Sequence, residues 1–148
     1  MIVLDANVVL RYFVRPATPE DEQTARIARS LFRLVREGQE TFTTSDAVIA
    51  EVVFILSSKR HYNVPRPEVG DLVRPILQVP GCKVPRKRLS IQALDLWVSR
   101  PKLSFVDALV VVWAEELGES LASFDAQVNR MPGIDHWQPP DTDSDAVR

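Results

Sequence analysis

Cysteine is almost missing from this chain. Cys82 stands alone among 148 residues, so no intrachain disulfide can form and thiol-rich metal sites are excluded. Histidine is nearly as scarce: His61 and His136 lack metal-ligand spacing and read as surface residues. Glycine occurs five times, without the Gly-rich turn that cradles a dinucleotide. Long hydrophobic runs are absent too. The longest, Ala108 to Ala114, falls far short of the roughly 18 apolar residues that suggest a membrane span. Asp5 interrupts the N-terminal apolar stretch before a signal-peptide core could form, which makes a soluble, cytoplasmic protein the expectation.

What remains is an ordinary globular composition, 45% apolar and 26% charged, which excludes disordered and fibrous classes. The length suits one domain with a single substantial core. Net charge is −2, but it is unevenly placed. Residues 139–148 carry Asp141, Asp143, Asp145 and Arg148, so this stretch alone accounts for −2 and residues 1–138 are neutral. The domain is therefore expected over 1–138, with 139–148 a flexible acidic tail.

Short strands alternate with longer helices along the chain. Ile2 to Leu4 reads as a strand, followed by a helix through Val8 and Phe13. Pro19-Glu20-Asp21-Glu22 opens a long helix with acids at its positive end and Gly38 closing it; Ala28, Leu31, Phe32 and Val35 form its buried face. Thr41 to Thr43 is a second strand, and Ser45 or Asp46 caps a helix running to about Arg60. A weaker helix spans Pro65 to Gln78, a strand Cys82 to Val84, and a further helix Leu89 to Val98. Ser104 opens a helix that is apolar almost all round and ends at Gly118, and Leu121 to Phe124 is a last strand. This alternation predicts an α/β fold with a short parallel sheet flanked by helices in three layers.

Four acids lie in apolar settings along this frame: Asp5 after Ile2-Val3-Leu4, Glu51 within Ile49-Ala50-Glu51-Val52, Asp107 within Phe105-Val106-Asp107-Ala108, and Asp125 after Leu121 to Phe124. Ligands in an open α/β sheet bind beyond the carboxyl ends of the strands, so Asp5 and Asp125 should face one crevice. Glu51 falls about 40° around its helix from Ile55 and flanks a stripe of Val48, Val52 and Ile55. Asp107 stands in the first turn of the apolar helix, which should be central. Each acid also has a plain structural explanation. Asp5 and Asp125 suit helix N-caps, Ser104-x-x-Asp107 resembles a capping box, and Glu51 at a stripe edge suits solvent. Taken together, the four form a constellation with chemical meaning. Gathered carboxylates repel, and burying them unpaired costs several kcal/mol each, so a counter-cation is expected. Oxygen-only ligands favour Mg2+ or Mn2+ over zinc. Such an ion, holding a water and a phosphate oxygen, points to phosphodiester hydrolysis.

The opening Ile2-Val3-Leu4-Asp5-Ala6-Asn7, the Glu51 helix, Leu103-Ser104-Phe105-Val106-Asp107 and Leu121-Ala122-Ser123-Phe124-Asp125 together resemble the PIN-domain ribonucleases. Within them, the likeness is to VapC-type toxins of bacterial toxin–antitoxin pairs. It covers about residues 2 to 138, and its specificity lies in the ordered set. The resemblance implies a PIN-like domain acting as a metal-dependent endoribonuclease on RNA, with Asp5, Glu51, Asp107 and Asp125 as the catalytic, metal-binding acids. It also implies Asn7 and Ser123 as polar supports, a cognate antitoxin as partner, and a homodimer. Ala6 stands where the family commonly has a hydroxyl residue, and Ser123 where it often has threonine.

A catalytically silent PIN-like scaffold binding RNA or protein is the alternative. A haloacid-dehalogenase-type phosphatase would need an acid where Asn7 stands. Arg26, Arg29, Arg33 and Arg36 share one helical face within about 80°, and Lys83, Arg86, Lys87 and Arg88 form a second basic cluster. Both read as solvated surfaces before they read as RNA tracks. With the four acids screened by metal, the remainder of residues 1–138 would be net basic by four charges, which suits a nucleic acid partner. Trp97 and Trp113 lie in apolar helical patterns and read as core, while Trp137 could pack the tail.

Overall fold

Helix starts follow their local chemistry closely. In the computed structural model, which describes residues 1–140, strand β1 (Ile2–Val3) runs into helix α1 (Ala6–Phe13). Helix α2 (Pro19–Arg36) begins where the Thr18 hydroxyl accepts from the Asp21 amide, with Pro19 in the first turn. Gly38 then turns the chain at φ 76° into strand β2 (Phe42–Thr43). Ser45 caps α3 (Asp46–Ser57). Helices α4 (Arg66–Gln78), α5 (Lys87–Ser99) and α6 (Phe105–Leu117) follow; Ser104 caps α6 and Gly118, in the left-handed conformation, ends it. A short α7 (Ala126–Asn129) starts at Asp125.

The sheet is parallel and minimal. Ile2 pairs with Phe42 and Val3 with Thr43, while on the other side of β2 Phe42 bridges Cys82, its amide donating to the Gly81 carbonyl and its carbonyl accepting from Lys83. This third contact is a single bridge, not the strand expected over Cys82 to Val84, because Pro85 follows and has no amide to extend a ladder. Gly81 sits so tightly that an added Cβ would meet Val35 Cγ1 at 2.7 Å. The expected strand from Leu121 to Phe124 also reduces to one bridge, between Leu121 and His136. Phe124 there is fully exposed. With residues 1–140 described, the expected acidic tail lies outside them except for Pro139 and Pro140.

The core joins Phe32 and Val35 of α2, Phe42, Val53 and Leu56 of α3, Val69 of α4, Leu94 and Trp97 of α5, and Ala108 and Val111 of α6. Helix α3 packs against both α1 and α6, and α5 packs along α6. Two expectations need correction here. The buried stripe of α3 is Ile49, Val52, Val53 and Leu56, with Val48 and Ile55 half-buried. Helix α6 is not enclosed: Phe105, Ala108, Val111 and Val112 face the core, whereas Val106, Val110, Trp113 and Leu117 are exposed. Trp113 is thus a surface residue at 41% exposure, its ring covered by the Arg86 guanidinium at 4.4 Å. Trp97 is buried as expected, and Trp137 is exposed.

Candidate functional site

Asp5 follows β1 and is the N-cap of α1, its Oδ1 accepting from the Ala6 amide at 2.8 Å. Its backbone is held from behind. The Thr44 hydroxyl, buried, donates to the Leu4 carbonyl at 2.8 Å, and the Leu4 amide donates to the Thr43 carbonyl at 2.9 Å. Thr44 went unnoticed in the sequence; the signal was a hydroxyl residue closing the strand Thr41 to Thr43 before the Ser45 cap. Asn7 is exposed and lines a groove between α1 and α2 with Arg11 and Ile27.

Asp107 lies in the first turn of α6, half-buried. Its amide donates to the Ser104 hydroxyl at 3.1 Å. Only this half of the capping box forms, and among the described residues no hydrogen bond engages the Asp107 carboxylate. The start of α6 is anchored by a residue the sequence did not single out. Arg66 Nη1 donates to the carbonyls of Trp97, Arg100 and Leu103 at 2.8, 3.1 and 2.7 Å, with its guanidinium over the Trp97 ring at 4.5 Å. Burial pulls the Arg66 pKa down, yet a guanidinium stays protonated in proteins.

Glu51 is exposed on α3, on the side away from the observed stripe and close to exposed Phe54. Asp125 caps α7: its Oδ1 accepts from the Gln127 and Val128 amides at 2.7 and 3.1 Å, and among the described residues Oδ2 has no hydrogen-bond partner. Ser123 fixes it, accepting from the Asp125 amide at 3.0 Å and, through its carbonyl, from Asn129 Nδ2 at 2.8 Å. Asp125 does not follow a strand of the β1–β2 sheet, contrary to the expectation of a shared crevice with Asp5.

Three of the four acids therefore ride on α3 and on the two helices, α1 and α6, that pack against it. The PIN domain family matches residues 2–134. The chain belongs to the PIN domain family. No curated protein matches it. Membership places this PIN domain among proteins of nuclease type, which as a class use divalent metal ions. No helix among the described residues is long and apolar enough to cross a membrane.

A divalent ion fits these residues in donor chemistry: the four acids offer only hard oxygens, and among the described residues none of them pairs with a Lys or Arg. Their spacing is another matter. Among the described residues, no three His, Cys, Asp or Glu side chains stand together as a metal site. Carboxylates repel one another unless a cation intervenes, and Asp5 and Asp125 are satisfied locally by helix amides instead.

Proposed function

We propose that this PIN domain is a metal-dependent endoribonuclease that hydrolyses RNA phosphodiester bonds, with Asp5, Glu51, Asp107 and Asp125 as the acids that would hold Mg2+ or Mn2+. One observation carries this reading. The PIN domain family matches residues 2–134, a span that holds all four acids, and among the described residues none of the four is paired with a cation of the protein. When bound, a divalent ion supplies an activated water and a counter-charge for the phosphate. The chain's own residues set where that can happen: Thr44 fixes the end of β1 before Asp5, Arg66 fixes the loop before Asp107, and Ser123 fixes Asp125.

The second reading, a silent scaffold that binds RNA or protein, is favoured by the absence of three gathered acids among the described residues. Calorimetric titration with Mn2+ separates the two. The nuclease reading expects binding that Asp5→Asn weakens and RNA cleavage that excess EDTA abolishes; cleavage persisting in EDTA would sink it, and neither binding nor cleavage would leave the scaffold.

The biological role proposed is that of a toxin, dimeric and held in check by a cognate antitoxin. A guanidinium from that partner would match unpaired carboxylates. Expression of this chain alone should arrest growth, Asp5→Asn should be harmless, and a small partner should rescue by direct binding. Harmless expression of an active nuclease with no partner recovered counts against the toxin role alone.

A further inference from the structure

Phe124 has 109% of its reference exposure and Trp137 keeps 53%. Both line one cavity of about 490 Å3, together with Ser123, Asn129 and Gln138. Its size falls within the roughly 300–1,000 Å3 of small-molecule sites. The backbone under the two rings is tied down. The Trp137 amide donates to the Leu121 carbonyl at 2.9 Å and the Leu121 amide to Asp135 at 2.8 Å, while Ser123 and Asn129 brace the segment that carries Phe124. Among the described residues, no Lys, Arg, Asp or Glu lines the cavity. Asn129 spends its amide nitrogen on the Ser123 carbonyl, so its side-chain oxygen can accept, and the Gln138 amide can donate and accept.

Flat apolar faces with donors and acceptors at the edge are what a nucleobase requires, and only an unpaired base offers both faces for stacking. We propose that this cavity takes an unpaired base of single-stranded RNA, stacked on Phe124 and Trp137, which seats the strand beside Asp125. The assignment rests on the nuclease reading for the role of Asp125, but base binding itself needs no metal.

The test uses the full chain in EDTA and a fluorescein-labelled 2′-O-methyl RNA hexamer, read by anisotropy, beside the same hexamer made abasic. Wild type should bind the base-containing strand about tenfold more tightly than the abasic one. Phe124→Ala, at a fully exposed position that leaves folding intact, should lose that difference, and so should Trp137→Ala. Equal affinity for the two strands in wild type overturns the proposal, as does an undiminished preference in Phe124→Ala. So does a dimer that Phe124→Ala dissociates while strand affinity is unchanged, which would make the patch a protein interface. Base preference without cleavage in Mg2+ leaves the pocket standing and removes the nuclease reading; cleavage with unchanged kcat/KM in both variants does the reverse.

Discussion

Thr44 is bonded to Leu4 across forty residues, its buried hydroxyl donating to the carbonyl that precedes Asp5. Thr44→Val keeps the shape and removes the donor, leaving the Leu4 carbonyl unsatisfied in the interior. A loss of about 1–3 kcal/mol is expected in urea unfolding, with RNA cleavage reduced further than the stability change explains at temperatures where the variant is fully folded. Wild-type activity in a destabilised Thr44→Val would show that this bond serves the fold and not the placement of Asp5.

The acids separate capping from chemistry. Asparagine caps helices as well as aspartate does, so Asp5→Asn and Asp125→Asn should melt within about 0.5 kcal/mol of wild type while cleavage falls by orders of magnitude. Asp125→Ala removes the acceptor for Gln127 and Val128 and should cost about 1 kcal/mol as well. Glu51→Gln and Asp107→Asn should likewise spare the fold and abolish cleavage. Full activity in Asp125→Asn would reduce that residue to a cap.

Arg66 gathers three carbonyls at the junction of α5 and α6. Arg66→Ala should cost about 2–3 kcal/mol in chemical unfolding. Arg66→Lys keeps the charge without the planar fork and should recover only part of the loss. Equal stability for the lysine variant and wild type would mean that charge alone matters at this junction.

Burial pushes the Cys82 thiol above its ordinary value of 9.0, against the opposing pull of the Val84 amide and of Lys87 and Lys83. A folded-state pKa raised in this way contributes stability that is complete below the unfolded value and is lost as pH rises through the folded one. Unfolding free energies measured from pH 7 to 10.5 should therefore fall more steeply above about pH 9 in wild type than in Cys82→Ala. Parallel curves for the two proteins would remove the thiol from the alkaline transition. A thiol reagent should also react with Cys82 only as the chain unfolds.

Helix starts were legible because capping is a local matter. Pro19, Ser45, Ser104 and Gly118 each stand where the structure begins or ends a helix. Helix α5 offered no such sign: it starts at Arg86 in the left-handed conformation, with no side-chain cap. The face of α3 was misjudged because Ile49, Ala50, Val52, Val53, Phe54, Ile55 and Leu56 surround the helix with apolar groups and give little periodic contrast. Trp113 was misplaced for the same reason on α6. For the site, the position of each acid at or near a helix start could be read from sequence, except for Glu51. Their mutual distances could not, since those depend on how α1, α3 and α6 cross and on the pairing chosen by the Leu121 segment, which took His136.

The parallel register of β1 on β2 also governs when the molecule can become complete. Ile2 meets Phe42 only after α2 has been made and folded back, whereas α5 and α6 pack as near neighbours in the chain. Distant pairings form slowly because the intervening loop must close first. During synthesis, in which the N-terminal part emerges first, Asp5 has no strand to settle against until about forty more residues have followed it. Asp125 follows Asp5 by 120 positions. A growing chain thus carries the first of its four acids long before the last, and the set is entire only once Asp125 has been added.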